Sequence, residues 1–153
     1  MSLIRVTAVA LGLLTAVTIV NAQTPRTKLP AAVEAAFKKA YPNASIKNSS
    51  SEKEDGTLQY EIESVDGKTN RDLVYLADGT LVAAEEAIGV AAVPAPVLAA
   101  LKARYPNASV TKYEKLTKGT AVSYELALKG AALKEAEIAP DGTFINPKPV
   151  KKK

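Results

Sequence analysis

One stretch of this chain occurs twice, and that duplication limits the fold more than any other feature. Leu29 to Ser45 returns 64 residues later as Val93 to Ser109, with 11 of 17 positions identical. Tyr60-Glu61 recurs at the same offset as Tyr124-Glu125, and Asp78-Gly79-Thr80 recurs one residue short as Asp141-Gly142-Thr143. Self-similarity on this scale means a supersecondary unit copied whole. The units run from residue 29 to 86 and from 93 to 146, joined by a linker at 87–92 and preceded by a short lead at 23–28.

Each unit opens with a helical pattern of about three turns. Pro30 and Pro94 suit a first-turn position, where a missing N–H costs nothing. Val33, Ala36, Phe37, Ala40 and Tyr41 recur at helical spacing, as do Val97, Ala100, Leu101 and Tyr105. Pro42 and Pro106 then end each helix, because the residue before a proline is pushed out of the helical region. A helix this short is marginal alone and has to lie against something.

Short strands follow each helix. In the first copy they span Ala44 to Lys53, Thr57 to Val65, Thr69 to Leu76 and Thr80 to Ala84; in the second, Ser109 to Thr117, Thr120 to Leu128, Ala132 to Ile138 and Thr143 to Asn146. Asp55-Gly56, Asp66-Gly67 and Asp78-Gly79 sit between strands at hairpin spacing. Leu58, Tyr60 and Ile62 alternate with Gln59, Glu61 and Glu63, so one face is core and the other wet. The expected class is α+β: two tandem repeats, each a short helix packed on an antiparallel sheet of three or four strands. About 60 residues make a marginal domain, so the units should pack together or continue one sheet across the linker.

Met1 to Ala22 reads as a secretory signal: a basic start ending at Arg5, an apolar run from Val6 to Val20, and a small-residue site before Gln23. The run is too short to span a bilayer. The expected product, cleaved after Ala22, is periplasmic or secreted and has no transmembrane span. It has no cysteine, so burial must supply the stability. The overall excess of base belongs to the end of the chain. Residues 23 to 147 carry 15 basic and 16 acidic side chains, whereas Lys148, Lys151, Lys152 and Lys153 form a solvated basic tail over 147–153. A nucleic-acid partner is therefore not expected, and the tail lysines are a candidate for weak contact with anionic surfaces.

With neither histidine nor cysteine, the chain lacks the commonest general base, zinc ligand and thiolate nucleophile. The serines at 49–51 have no nucleophile-elbow pattern around them. Glu61 with Glu63, Glu85 with Glu86, and Glu135 with Glu137 are paired carboxylates, most simply read as the wet side of half-buried strands. No enzymatic activity, cofactor or metal is expected.

The proline-opened, alanine-rich helix, the Tyr-Pro-Asn-Ala that closes it, Tyr-Glu in the second strand and Asp-Gly-Thr in the last turn together resemble the PepSY-like domains of exported bacterial proteins. Those domains are also described as β-lactamase-inhibitor-like. The resemblance covers Leu29 to about Phe144 in two copies, and it implies the fold, an exported location and action by inhibition or binding. It carries over no functional residues. The reading of the chain itself is a non-catalytic protein-binding or inhibitor-like module, whose partner is another exported or envelope protein. The candidate partner-binding surface is Glu61, Glu63, Tyr75, Tyr113 and Glu125. The alternative is an envelope structural or sensory protein that binds a cation or an anionic cell-wall polymer.

Overall fold

A computed structural model describes residues 26–131 and 133–145. The expected signal segment and the basic tail lie outside the described residues. The chain forms helix α1 (Ala31–Ala40), strands β1 (Ser45–Glu54), β2 (Thr57–Asp66), β3 (Thr69–Leu76) and β4 (Leu81–Ala87), helix α2 (Ala95–Arg104), and strands β5 (Ser109–Lys118), β6 (Ala121–Lys129) and β7 (Glu135–Ile138). A single 3-10 turn, Val90–Ala92, lies between β4 and α2. No described helix is long and apolar enough to cross a membrane.

All the strands belong to one antiparallel sheet in sequential order, β1 to β7. The two repeats are fused rather than separate, because β4 pairs with β5 from Ala83 opposite Lys118 to Ala87 opposite Glu114. β4 runs on past the Ala84 at which its sequence pattern stops: Glu85 and Glu86 pair with Asp72 and Arg71 of β3 on one side and with Leu116 and Lys115 of β5 on the other, and Ala87 pairs with Glu114 of β5. The expected last strand after Thr143 is reduced, among the described residues, to one bridge between Ile138 and Phe144.

Each helix ends as its prolines dictate, with the Tyr41 and Tyr105 N–H groups donating to the Phe37 and Leu101 carbonyls. Val33 and Phe37 of α1 pack with Leu29, Ile62, Leu73 and Tyr75. Val97 and Leu101 of α2 pack with Val93, Tyr124, Leu126, Leu128, Ala136 and Ile138. Cross-strand partners share a face, so the ladders show where these two cores lie. Ile62 opposes Leu73, Leu73 opposes Ala84, Ala84 opposes Thr117 and Thr117 opposes Val122, on the same side of β6 as Tyr124 and Leu126. Both helices therefore cover one face of the sheet, and the opposite face carries neither.

The repeated Asp-Gly-Thr turns dock on the helices. Asp78 and Asp141 each accept a hydrogen bond from the backbone N–H two residues on, Thr80 and Thr143. Gly79 has φ +87° and Gly142 φ +92°, and an added Cβ would come within 2.7 Å of the Ala32 carbonyl oxygen or 2.9 Å of the Pro96 carbonyl oxygen. The matching alanines Ala36 and Ala100 form the other wall at these contacts. The same turn-to-helix contact occurs in both copies.

Candidate functional site

The face away from the helices is built from the alternate residues of each strand. Register places Asn48, Glu63, Asp72, Glu85, Leu116 and Ser123 in one row across β1 to β6. A second row holds Ser50, Glu61, Val74, Ala83 and Lys118, and a third holds Ala87, Glu114, Glu125 and Glu137. Carboxylates thus run from β2 to β7 without leaving this face, among an apolar floor of Val74, Ala83 and Leu116. Although neither α1 nor α2 covers them, these three are 9%, 5% and 3% exposed. They belong to neither helix-side core.

At the seam between the repeats the carboxylates crowd. Oxygen atoms of Glu85, Glu114 and Glu125 all lie within 4.8 Å of one another. Two full negative charges at that separation repel by roughly 3 kcal/mol at an effective dielectric of about 20. The cluster relieves this by holding protons. Burial, then a hydrogen bond to Glu114 and its charge, push Glu85 up to about 8. Burial and then Glu135 and Glu137 push Glu125 up to about 7. Burial and then Glu63 and Glu61 push Asp72 up to about 6. Protonated Glu85 donates to the Glu114 carboxylate, which also takes an ion pair from Lys112.

The rim is tied down by neutral donors. Ser50 donates to Glu61 Oε2 at 3.0 Å, Asn48 Nδ2 to Glu63 Oε1 at 3.4 Å and Ser123 to Glu137 Oε1 at 2.6 Å. Glu61 Oε1 is buried with no hydrogen-bond partner among the described residues, and burial raises that carboxyl above its ordinary range. Oriented carboxylates with few basic neighbours attract cations. Three that converge on one point are also a donor set of the kind hard cations take.

Of the expected surface, Glu61, Glu63 and Glu125 stand on this face. Tyr75 and Tyr113 do not, and both correct the expectation. Tyr75 opposes Tyr60, which puts it beside Leu73 and Ile62 under α1, at 2% exposure. The apolar residues that β3 turns the other way are Val74 and Leu76. Tyr113 is displaced by a β-bulge. Strict alternation sets it opposite in face to Val110, but the register shifts between Val110 and Lys112, so Val110 opposes Leu128 and Tyr113 opposes Leu126 on the helix side. There Tyr113 packs against the second core. The equivalent bulge lies between Ile46 and Asn48 in β1.

Asp72, Glu85 and Glu114 were missed as site residues. Pairing carboxylates along one strand, as with Glu85 and Glu86, cannot find a cluster assembled across three strands. Glu86 in fact turns to the helix side, where it accepts a hydrogen bond from Arg71 Nε. A register drawn across the linker, with β4 against β5, is the signal that brings Glu85 to Glu114 and Glu125.

Comparison with known proteins agrees with this architecture. Three solved structures from Bacteroides share the fold. A protein from Bacteroides eggerthii, described as a putative periplasmic protein, aligns at TM-score 0.64 and 17% identity over 78% of this chain and 88% of its own. A DUF2874 family protein from Bacteroides uniformis aligns at 0.63 and 19% over the same shares of the two chains. A BLIP-like protein from Bacteroides fragilis aligns at 0.60 and 18% over 80% and 86%. None of the curated proteins matches the chain. The family model described as "Putative beta-lactamase-inhibitor-like, PepSY-like" matches twice, at residues 16–83 and 68–145, and the chain belongs to that PepSY-like family.

Proposed function

We propose that this protein is a non-catalytic binding module of the periplasm, exported by the signal at Met1 to Ala22 and cleaved after Ala22, which docks another exported or envelope protein on its helix-free sheet face. One observation carries the reading. Glu61, Glu63, Asp72, Glu85, Glu114, Glu125 and Glu137 share one sheet face that neither described helix covers, with Glu85 and Glu114 buried at its centre. The surface contributes nothing to either helix-side core and crowds like charges at a cost to the fold. Such an arrangement suits a face completed by something else. The inhibitor-like description of the family, and the BLIP-like description of the Bacteroides fragilis relative, fit action by binding. The absence of histidine and cysteine from the sequence supports a non-catalytic role.

The test is affinity capture from a periplasmic extract with the mature chain, comparing Glu63→Lys combined with Glu125→Lys against the helix-side change Lys38→Glu. The sheet-face variant should lose the specific partner and the helix variant keep it. Identical capture by both would refute the docking face.

The convergence of Glu85, Glu114 and Glu125 supports a second reading, an envelope protein that binds a hard cation. Calorimetric titration of the mature chain with calcium would show saturable heat that Glu114→Gln abolishes. No heat would dismiss it.

A further inference from the structure

Duplication leaves one strand edge open whose counterpart in the other repeat is filled. We infer that the outer edge of β1, from Ser51 to Glu54, is a second docking site, which takes an extended strand of a partner protein in antiparallel pairing as β5 takes β4. It is separate from the helix-free face and does not depend on it.

β1 and β5 are counterparts 64 residues apart, each with a bulge near its start. In the second repeat the Ile88 N–H donates to the Tyr113 carbonyl at 3.0 Å, and β4 lines β5 from there to Gly119, whose N–H donates to the Val82 carbonyl at 3.3 Å. Lys115 and Thr117 lie between those contacts and, by alternation, turn their backbone groups to β4 as well. In the first repeat the Thr27 N–H donates to the Ser49 carbonyl at 2.9 Å, which is the same contact at the counterpart of Tyr113. There the cover stops. Ser51 and Lys53, the counterparts of Lys115 and Thr117, turn their N–H and C=O groups outward, where no strand meets them among the described residues. Ser51, Glu52 and Lys53 are exposed. At the opposite end of the sheet Phe144 bridges Ile138, and the Ile145 N–H donates to the Glu137 carbonyl.

Two other occupants fit this edge badly. Extending the chain's own lead at the register of Thr27 would set Pro25 opposite Ser51, where the ladder needs an N–H and proline has none. Pairing β1 with β1 of a second copy would set Glu52 against Glu52, or else Lys53 against Lys53 with Glu52 against Glu54. Like charges directly opposite destabilise a ladder and guard an edge against self-pairing. A strand from another protein has neither fault. The one that fits best carries a cation opposite Glu52 and a small or acidic residue opposite Lys53.

The probe is a synthetic peptide copying Thr80 to Ile88 with Glu85→Lys, which the β4–β5 register carries to a place opposite Glu52. It is titrated into the isotope-labelled mature chain, with amide shifts and hydrogen exchange read by NMR. Binding should saturate and slow exchange at the Ser51 and Lys53 amides, leaving β7 unchanged. A further Glu86→Pro in the peptide removes the N–H that faces Ser51 and should weaken binding roughly 10-fold. Lys53→Pro in the chain should weaken it to a similar degree, since the lost N–H points outward and takes no part in the β1–β2 ladder; circular dichroism checks the fold. Glu52→Lys, a surface change that leaves the backbone alone, should weaken the Glu85→Lys peptide and strengthen the peptide that keeps Glu85. A peptide inert at millimolar concentration would overturn the inference. So would protection that misses Ser51 and Lys53, or Glu86→Pro binding as well as its parent. Sedimentation of the chain alone tests the remaining occupant: a dimer that Lys53→Pro dissolves would make a second copy the partner and overturn the assignment to another protein.

Discussion

Replacing Gly79 by alanine isolates the contact that locks each repeat together. At φ +87° an L-residue pays roughly 1–2 kcal/mol for its backbone alone. The new Cβ would also stand 2.7 Å from the Ala32 carbonyl oxygen, 3.1 Å from its carbon and 3.3 Å from Ala36 Cβ. Two of those three atoms are backbone in a packed helix and cannot rotate away. Overpacking of this kind costs about 1–3 kcal/mol, so the total is about 2–5 kcal/mol. Gly56→Ala is the matched control. Its φ is +81° but an added Cβ meets nothing within 4 Å, so only the backbone cost of about 1–2 kcal/mol applies. The entropy that alanine removes from the unfolded chain is the same in both and cancels. At about 4 °C per kcal/mol for a domain of this size, thermal melting by circular dichroism should show Gly79→Ala falling about 8–20 °C and Gly56→Ala about 4–8 °C. Equal shifts would refute the docking of the turn on the helix. The same comparison at Gly142, where the carbonyl is that of Pro96 at 2.9 Å, should give a similar but smaller excess.

Other outcomes follow from the buried groups. Tyr75→Phe should leave stability unchanged or raise it by up to about 1 kcal/mol, because the phenol oxygen is buried with no partner among the described residues; Tyr75→Ala should cost about 3–5 kcal/mol in a urea titration. Ile138→Ala, at the edge strand but fully buried, should cost about 2–5 kcal/mol. Stability should depend on pH in the direction set by the carboxyl cluster. Asp72, Glu85 and Glu125 hold protons in the folded state up to about 6, 8 and 7, well above their unfolded values. The folded state binds more protons than the unfolded one from about pH 4.5 upward, so this contribution is complete below that and is lost as pH rises through 8. Melting temperature should therefore fall between pH 5 and 8.5. Glu85→Gln, which fixes the uncharged state, should flatten that slope, and an unchanged slope would contradict the assignment.

Local patterns in the sequence were enough to place the helices, the turns and the first three strands of each repeat. Prolines bracket α1 and α2, and alternation marks β2 and β6. What local patterns could not supply was parity and partnership. The bulge after Val110 adds one residue to β5, and a single added residue exchanges the faces for everything beyond it, which is how Tyr113 came to be expected on the wrong side. Tyr75 was ambiguous because β3 is apolar on both faces, with Leu73 and Tyr75 against Val74 and Leu76. The acidic cluster depends on β4 meeting β5 across the linker, a pairing set by tertiary packing and written in neither strand alone. Of the acidic surface, Glu61, Glu63 and Glu125 were legible from alternation. Glu85, Glu114 and Asp72 became site residues only once the register of the whole sheet was known.

Lysine-directed cross-linking of the captured partner, read out by mass spectrometry, tests the central claim most directly, because the two faces carry different exposed lysines. Lys112 and Lys118 stand on the helix-free face, while Lys38, Lys39 and Lys102 stand on the helices. Docking on the acidic face predicts inter-protein links through Lys112 and Lys118. Links confined to Lys38, Lys39 and Lys102 would contradict it.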